Sequence, residues 1–133
     1  MPMNAQEIIA EVEAILPGEA APDGEVDPRW QGMLRIQDCI QEEPDAVWAF
    51  VLRWGGHEDE DLRAAVATLL LEHLLACHFN TLFPKVATAV QDNFLFGDTF
   101  KRCWKVGQSK EEANSILFDD LRKTVRATKR HGL

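Results

Sequence analysis

The sequence has no tyrosine, three cysteines, four histidines and no long apolar run, and each shortage removes a class of protein. The cysteines, Cys39, Cys77 and Cys103, are odd in number, and no two lie closer than 26 positions. Neither a disulfide framework nor a CxxC redox or zinc-ribbon spacing is therefore available. A free thiol set among apolar side chains behaves as a small hydrophobe, so the reading is three reduced core thiols in a cytoplasmic protein. The run Leu69-Leu70-Leu71 is closed by Glu72 and His73, far short of the roughly 20 apolar residues of a membrane span, and no membrane contact is expected. The opening residues, Met1 to Glu7, carry no basic start and no apolar stretch behind it, so they do not read as a signal peptide. A glycine-rich phosphate loop, a GxSxG elbow, a dinucleotide fingerprint and HExxH are all missing, so no catalytic residue, cofactor or metal is assigned.

What is present is greasy, acidic and unevenly charged. Of the 133 residues, 46% are hydrophobic, with four Trp and seven Phe. A chain of this length buries about two-thirds of its unfolded surface without staples, so residues 1–133 are expected to form one domain. Net charge is -8. Residues 1–62 hold 15 acids and 3 bases, whereas residues 63–133 hold 7 acids and 11 bases. The overall acidity argues against a general nucleic-acid binder, but the second half has room for a local basic face.

Apolar spacing predicts an all-α protein of about seven helices, with no sheet, because no segment sustains a period of two. The first helix is expected over 4–16, capped by Asn4 with Glu7 three residues on. Residues 17–28, with three Pro, two Gly and four acids, read as a flexible acidic linker, extended and exposed. The first helix must then dock back on the body or exchange with a neighbouring chain. Asp27-Pro28 opens a second helix. A third, over 45–54, is apolar round most of its circumference and so central, and Gly55 is available for the left-handed position beyond it. The strongest 3-4 pattern runs over 59–77, through Leu62, Ala65, Val66, Leu69, Leu70, His73, Leu74 and Cys77. Pro84 is expected to open a fifth helix over 84–93. A sixth spans 94–106, with Phe96, Phe100 and Trp104 inside. Ser109 to Glu112 reads as a capping box that launches the last helix, which presents Ala113, Ile116, Leu117, Leu121 and Val125 to the core.

Residues 44–75 resemble one unit of a HEAT-type helical repeat. Pro44 begins the first helix of the pair, the acidic turn Glu58 to Asp61 follows, and Leu62-Arg63 opens the second helix, with Val66 and Leu70 three and seven positions after Arg63. The resemblance covers about a quarter of the chain. It implies HEAT-like helical pairs, with Arg63 tying its own turn to the next, and a protein-binding scaffold rather than an enzyme. Residues 84–106 and 109–129 form a second pair of helices without the arginine-bearing turn, and a compact helical bundle is the other architecture open to the chain.

Four constellations carry chemistry in principle. His73 and Cys77, at i and i+4, have zinc-chelating spacing, and His57 and His78 could join them only through folding. The plainer reading of His73 is a hydrogen-bonded core histidine. Cys103 has the cationic neighbours Lys101, Arg102 and Lys105 that a reactive thiolate needs, but shares a helix side with Phe96 and Phe100. Glu72 is an acid beside His73 on the strongest helix. Arg122, Arg126 and Arg130 at i, i+4 and i+8, with Lys123 and Lys129 beside them, form a basic stripe that would attract phosphate. The reading preferred over all of these is a non-catalytic protein–protein interaction module. Glu58, Asp59, Glu60 and Asp61, together with the acidic linker, form its recognition surface, in the manner of an immunity or inhibitor protein that occupies a basic active site. The alternative is nucleic-acid binding through the basic C-terminal helix, at Arg122, Lys123, Arg126, Lys129 and Arg130. A homodimer is a further arrangement compatible with the charge asymmetry.

Overall fold

The computed structural model describes residues 3–19 and 21–130, with side chains as far as Val125. Among the described residues the protein is all-α, without strands. Helices α1 (Ala5–Glu13), α2 (Pro28–Gln37) and α3 (Pro44–Trp54) precede a long continuous helical stretch. That stretch comprises α4 (Glu60–Ala65), a π-helical turn (Val66–Leu71) and α5 (Glu72–Asp92). Then come α6 (Phe94–Lys101), a 3-10 turn (Gly107–Lys110) and α7 (Glu112–Arg130). The long stretch is the spine. The π turn takes α2 and α3, while α5 takes α6 and the 3-10 turn. Phe50, Leu62, Leu70, Leu71, Leu74, Leu75, Phe79, Phe96 and Phe100 form the sealed centre of the core between them.

Local sequence signals set most of the helix starts. Asn4 and Glu7 make a reciprocal capping box, the Asn4 side chain accepting from the Glu7 N–H at 2.9 Å and the Glu7 carboxylate from the Asn4 N–H at 3.1 Å. Asp27 caps α2 ahead of Pro28, and Asp59 caps α4 by accepting from the Leu62 N–H. Helix α1 docks on its own chain, burying Ala5, Ile9 and Val12 against α2 and α3. Gly32 permits this approach, since a Cβ there would stand 2.8 Å from a Val12 methyl. Glu13 then latches the helix to α3, accepting from the Arg53 Nε at 2.8 Å and the Trp54 indole N–H at 2.7 Å.

Four expectations are corrected. Pro84 opens no helix. The break lies earlier, at His78 (φ -137°, ψ 43°), and α5 resumes at once. Gln108, projected from the 3-10 turn, mends that break. Its Oε1 accepts from the Phe79 N–H at 2.8 Å and its Nε2 donates to the Cys77 carbonyl at 2.9 Å, so the two backbone groups orphaned by the kink are paired. The sixth helix ends at Lys101 rather than 106, because the chain must turn to seat Gly107 (φ 53°) against Ala76, whose atoms leave no room for a Cβ. Trp104 is consequently 74% exposed instead of buried. Ser109 makes no capping box. It is buried in the 3-10 turn, α7 begins at Glu112, and the buried face of α7 is rotated to Phe118, Leu121 and Val125, leaving Ile116 and Leu117 in solvent. Gly55 is right-handed (φ -69°); its missing side chain serves the approach of the Phe96 ring, 2.8 Å from where a Cβ would lie.

The continuous stretch Glu60–Asp92 is long and apolar enough to cross a bilayer by length and composition, a property that short apolar runs do not reveal, yet 56% of its most apolar window is buried within the protein. Its apolarity supplies the core.

If Gln108 holds the kink, Gln108→Ala will lower the unfolding free energy by about 2 kcal/mol by stranding two backbone groups. Lys110→Ala, on the same turn, will change it by less than about 0.5 kcal/mol. Urea denaturation of the two variants checks this, and equal effects would show that Gln108 does not bridge the break.

Candidate functional site

The segment between α1 and α2 is exposed but is tied into shape from one point. Asp27 and Arg29 are nearly buried, and Arg29 bonds the Asp27 carboxylate through Nε at 3.1 Å and Nη2 at 2.9 Å. The same carboxylate accepts from the backbone N–H of Arg29 at 2.9 Å and of Ala21 at 3.3 Å. Arg29 Nη1 reaches back to the Pro17 carbonyl at 2.8 Å, and its guanidinium lies 4.5 Å from the centre of the Trp30 ring. Pro22 and Glu25 close a turn (N···O 3.0 Å) in which Gly24, at φ 86°, supplies the left-handed residue. Hydrogen bonds from Arg29 hold the Asp27 carboxyl down at about 2, and the carboxylate in turn holds the Arg29 guanidinium above its ordinary value.

This shaped segment stands opposite α4 and the π turn, with a groove of about 650 Å³ between them. Its walls come from Asp23, Gly24 and Glu25 on one side and from Asp61, Thr68 and Leu69 on the other, with Trp30, Ala64 and Ala65 also lining it. Asp61 of the predicted acidic turn and Asp23, Glu25 and Asp27 of the predicted linker therefore line one space. The other three residues of that turn are placed differently. Asp59 is the α4 cap. Glu60 pairs with Arg102. Glu58 is exposed and lends its carbonyl, with that of His57, to Arg63 Nη1 at 3.0 and 2.9 Å. Arg63 is buried and binds Asp98 of α6 at 3.0 Å, so the acidic turn is fastened to α6. Burial pushes the Asp98 carboxyl up, but the hydrogen bonds from Arg63 and Arg102 outweigh it and hold the group below its ordinary range.

Of the basic stripe, Arg122 is turned inward, donating to the Cys103 carbonyl and lying 5.0 Å over the Phe118 ring. Lys123 is exposed, 3.8 Å from Asp120. The expectations for Arg126, Lys129 and Arg130 lie outside the described side chains.

His57, His78 and Cys77 each have a partner of their own, and His73 is half-buried rather than part of the sealed core. His57 is packed on Trp54 and accepts from the Asp59 N–H at Nδ1. His78 Nε2 lies 3.0 Å from the Ile40 carbonyl. Cys77 Sγ takes a hydrogen bond from Gln41 at 3.1 Å. Among the described residues no three His, Cys, Asp or Glu side chains form a group that could hold a metal ion. Cys103 is buried, and burial pushes its thiol far up, so it carries no thiolate. Glu72 accepts from the Trp104 N–H rather than engaging His73. Sequence reasoning missed Trp30 and the stripe of α4 and the π turn as parts of a site. Their spacing signals only a helix face, and the groove arises from a loop folding beside it.

No family model, no curated protein and no solved structure matches this chain.

Because the folded pKa of Asp27 (about 2) lies below its ordinary 3.8, the ion pair contributes fully above pH ~4 and loses its contribution as pH falls toward 2. Asp27→Asn will cost about 2 kcal/mol at pH 6, and this difference from the native protein will shrink as the pH is lowered through that window. Urea midpoints measured across it check this. A difference constant with pH would show that the carboxylate charge is not what holds the segment.

Proposed function

We propose that the protein is a non-catalytic protein–protein interaction module whose recognition surface is the acidic groove between the 21–27 segment and α4. The observation that carries this reading is the convergence of Asp61 with Asp23 and Glu25 on one groove floored by Trp30 and Ala65. None of these three carboxylates has an ion-pair partner among the described residues. Open charge around an apolar floor has the layout of a docking surface, a desolvated centre inside a polar rim. The HEAT-type resemblance of residues 44–75 supports the same reading, as does Arg63, which bonds the carbonyls of its own turn and a carboxylate of α6. An inhibitor that occupies a basic enzyme cleft is the narrower version. The three free thiols suit a reducing, cytoplasmic setting.

Neutralising the rim in Asp23→Asn/Glu25→Gln/Asp61→Asn is expected to weaken capture of the native partner by at least about tenfold. The control Glu111→Gln/Glu112→Gln, which removes exposed charge elsewhere, is expected to leave capture unchanged. Quantitative crosslinking and mass spectrometry on all three proteins provide the check. Equal capture by the groove variant and the native chain would remove the groove from recognition.

Trp104 favours a second reading, nucleic-acid binding. It is 74% exposed beside Lys101 and Lys105, and an exposed indole next to cations is a platform on which a base stacks. Two features weigh against it: Arg122 is spent internally, and Lys105 is bound to Ser115 and Asp119, both at 2.8 Å. The docking reading predicts that a labelled single-stranded oligonucleotide stays unbound even at about 50 mM salt. Saturable binding abolished by Trp104→Ala would move the function to this surface.

A further inference from the structure

We infer that the groove accepts one short segment of a foreign protein, an amphipathic helix of about two turns with an apolar ridge and Lys or Arg on its flanks. This rests on the docking function proposed above and names the chemistry of its partner. Asp61, Ala64, Ala65, Thr68 and Leu69 line one side, a stripe that crosses from α4 into the π turn and runs on the order of 10 Å. Ala64, Ala65 and Thr68 are small, so a second helix can lie close along the stripe, and interaxial distance is set by the side chains at the contact. Trp30, Ala65 and Leu69 give that helix an apolar bed. Asp61 lines the groove from α4, and Asp23 and Glu25 line it from the 21–27 segment. Asp27 offers no further charge, since Arg29 neutralises it. The occupant that fits is therefore apolar along its centre and cationic on both sides, the helix-in-groove mode of peptide recognition.

A polycation without the apolar ridge fits less well. It would gain only exposed ion pairs, which are weak and screened by salt, and would leave the floor uncovered. A second copy of this chain also fits less well. It would bring another net charge of -8 toward an acidic face. The described cations of its α7 are engaged at home, Arg122 by the Cys103 carbonyl and Phe118 and Lys123 beside Asp120.

The test uses two fluorescein-labelled peptides of about 14 residues, roughly four turns, with one Lys/Leu/Ala composition. One is ordered to form an amphipathic helix and the other is scrambled. At about 150 mM salt the amphipathic peptide is expected to bind at least about tenfold tighter than the scrambled one. Its binding should fall by a similar factor in Ala64→Arg, which fills and reverses the groove, and in Asp23→Asn/Glu25→Gln/Asp61→Asn. The Trp30 indole NMR signal should shift on titration of the native chain. Equal affinity for the two peptides, or binding indifferent to both variants, overturns the inference. So does a concentration-dependent dimer that excludes the peptide, which would make a second copy the occupant. If the neutralised variant loses its captured partner while the peptides fail to be distinguished, the docking function stands and only this assignment of the partner falls. If capture and peptide binding both ignore that variant, the two fall together.

Discussion

The nearly buried pair of Asp27 and Arg29 turns a proline- and glycine-rich segment into one wall of a groove. A stretch of such composition has no regular hydrogen bonds of its own, and its backbone groups would otherwise go to water. Here one carboxylate gathers the Ala21 N–H, the Arg29 N–H and the Arg29 guanidinium, while the guanidinium reaches the Pro17 carbonyl and covers Trp30. The same carboxylate caps α2. The helix start and the shape of the loop thus depend on a single group, and the acids of that loop face α4 because of it. A buried ion pair is weak evidence for stability in itself, but removing one partner strands the other.

The opposite wall is secured by a second arginine. Arg63 joins the carbonyls of His57 and Glu58 to Asp98, and Asp98 also binds Arg102, which pairs with Glu60. The network fixes where α4 begins, and hence where Asp61 points its charge. Behind it the π turn is braced by Gln37, which donates to the Leu69 carbonyl at 2.7 Å. π turns inside α-helices are frequent at functional sites, and this one contributes Thr68 and Leu69 to the groove. Both walls are therefore held by side-chain-to-backbone bonds from buried or half-buried groups of the chain itself.

Helix starts were legible at Asn4 and Asp27, where a polar cap precedes an apolar period, but the same signal at Ser109 was misleading, since that side chain caps nothing. The centre of the core was legible too, since Leu62, Val66, Leu70 and Leu74 repeat over four turns. What stayed hidden was decided by distant side chains. Pro84 looked like a start, but a Gln108 twenty-four residues on satisfies the backbone at His78 instead. Trp104, Ile116 and Leu117 looked like core by spacing, but the turn that seats Gly107 against Ala76 cuts α6 short and α7 meets the core through Phe118. The acidic turn and acidic linker could be read as charge. Of the turn only Asp61 shares a groove with the linker, while Asp59 caps α4, Glu60 pairs with Arg102 and Glu58 is exposed, a division that no local pattern encodes.

The groove exists only if the 21–27 segment is a fixed wall, and nitrogen-15 relaxation measures that directly. Order parameters for Asp23 to Asp27 are expected near the rigid-backbone value of about 0.85 in the native protein and to drop in Asp27→Asn. Values below about 0.6 in the native protein itself would mean that the ion pair does not hold the segment, and that no preformed groove exists for a partner to enter.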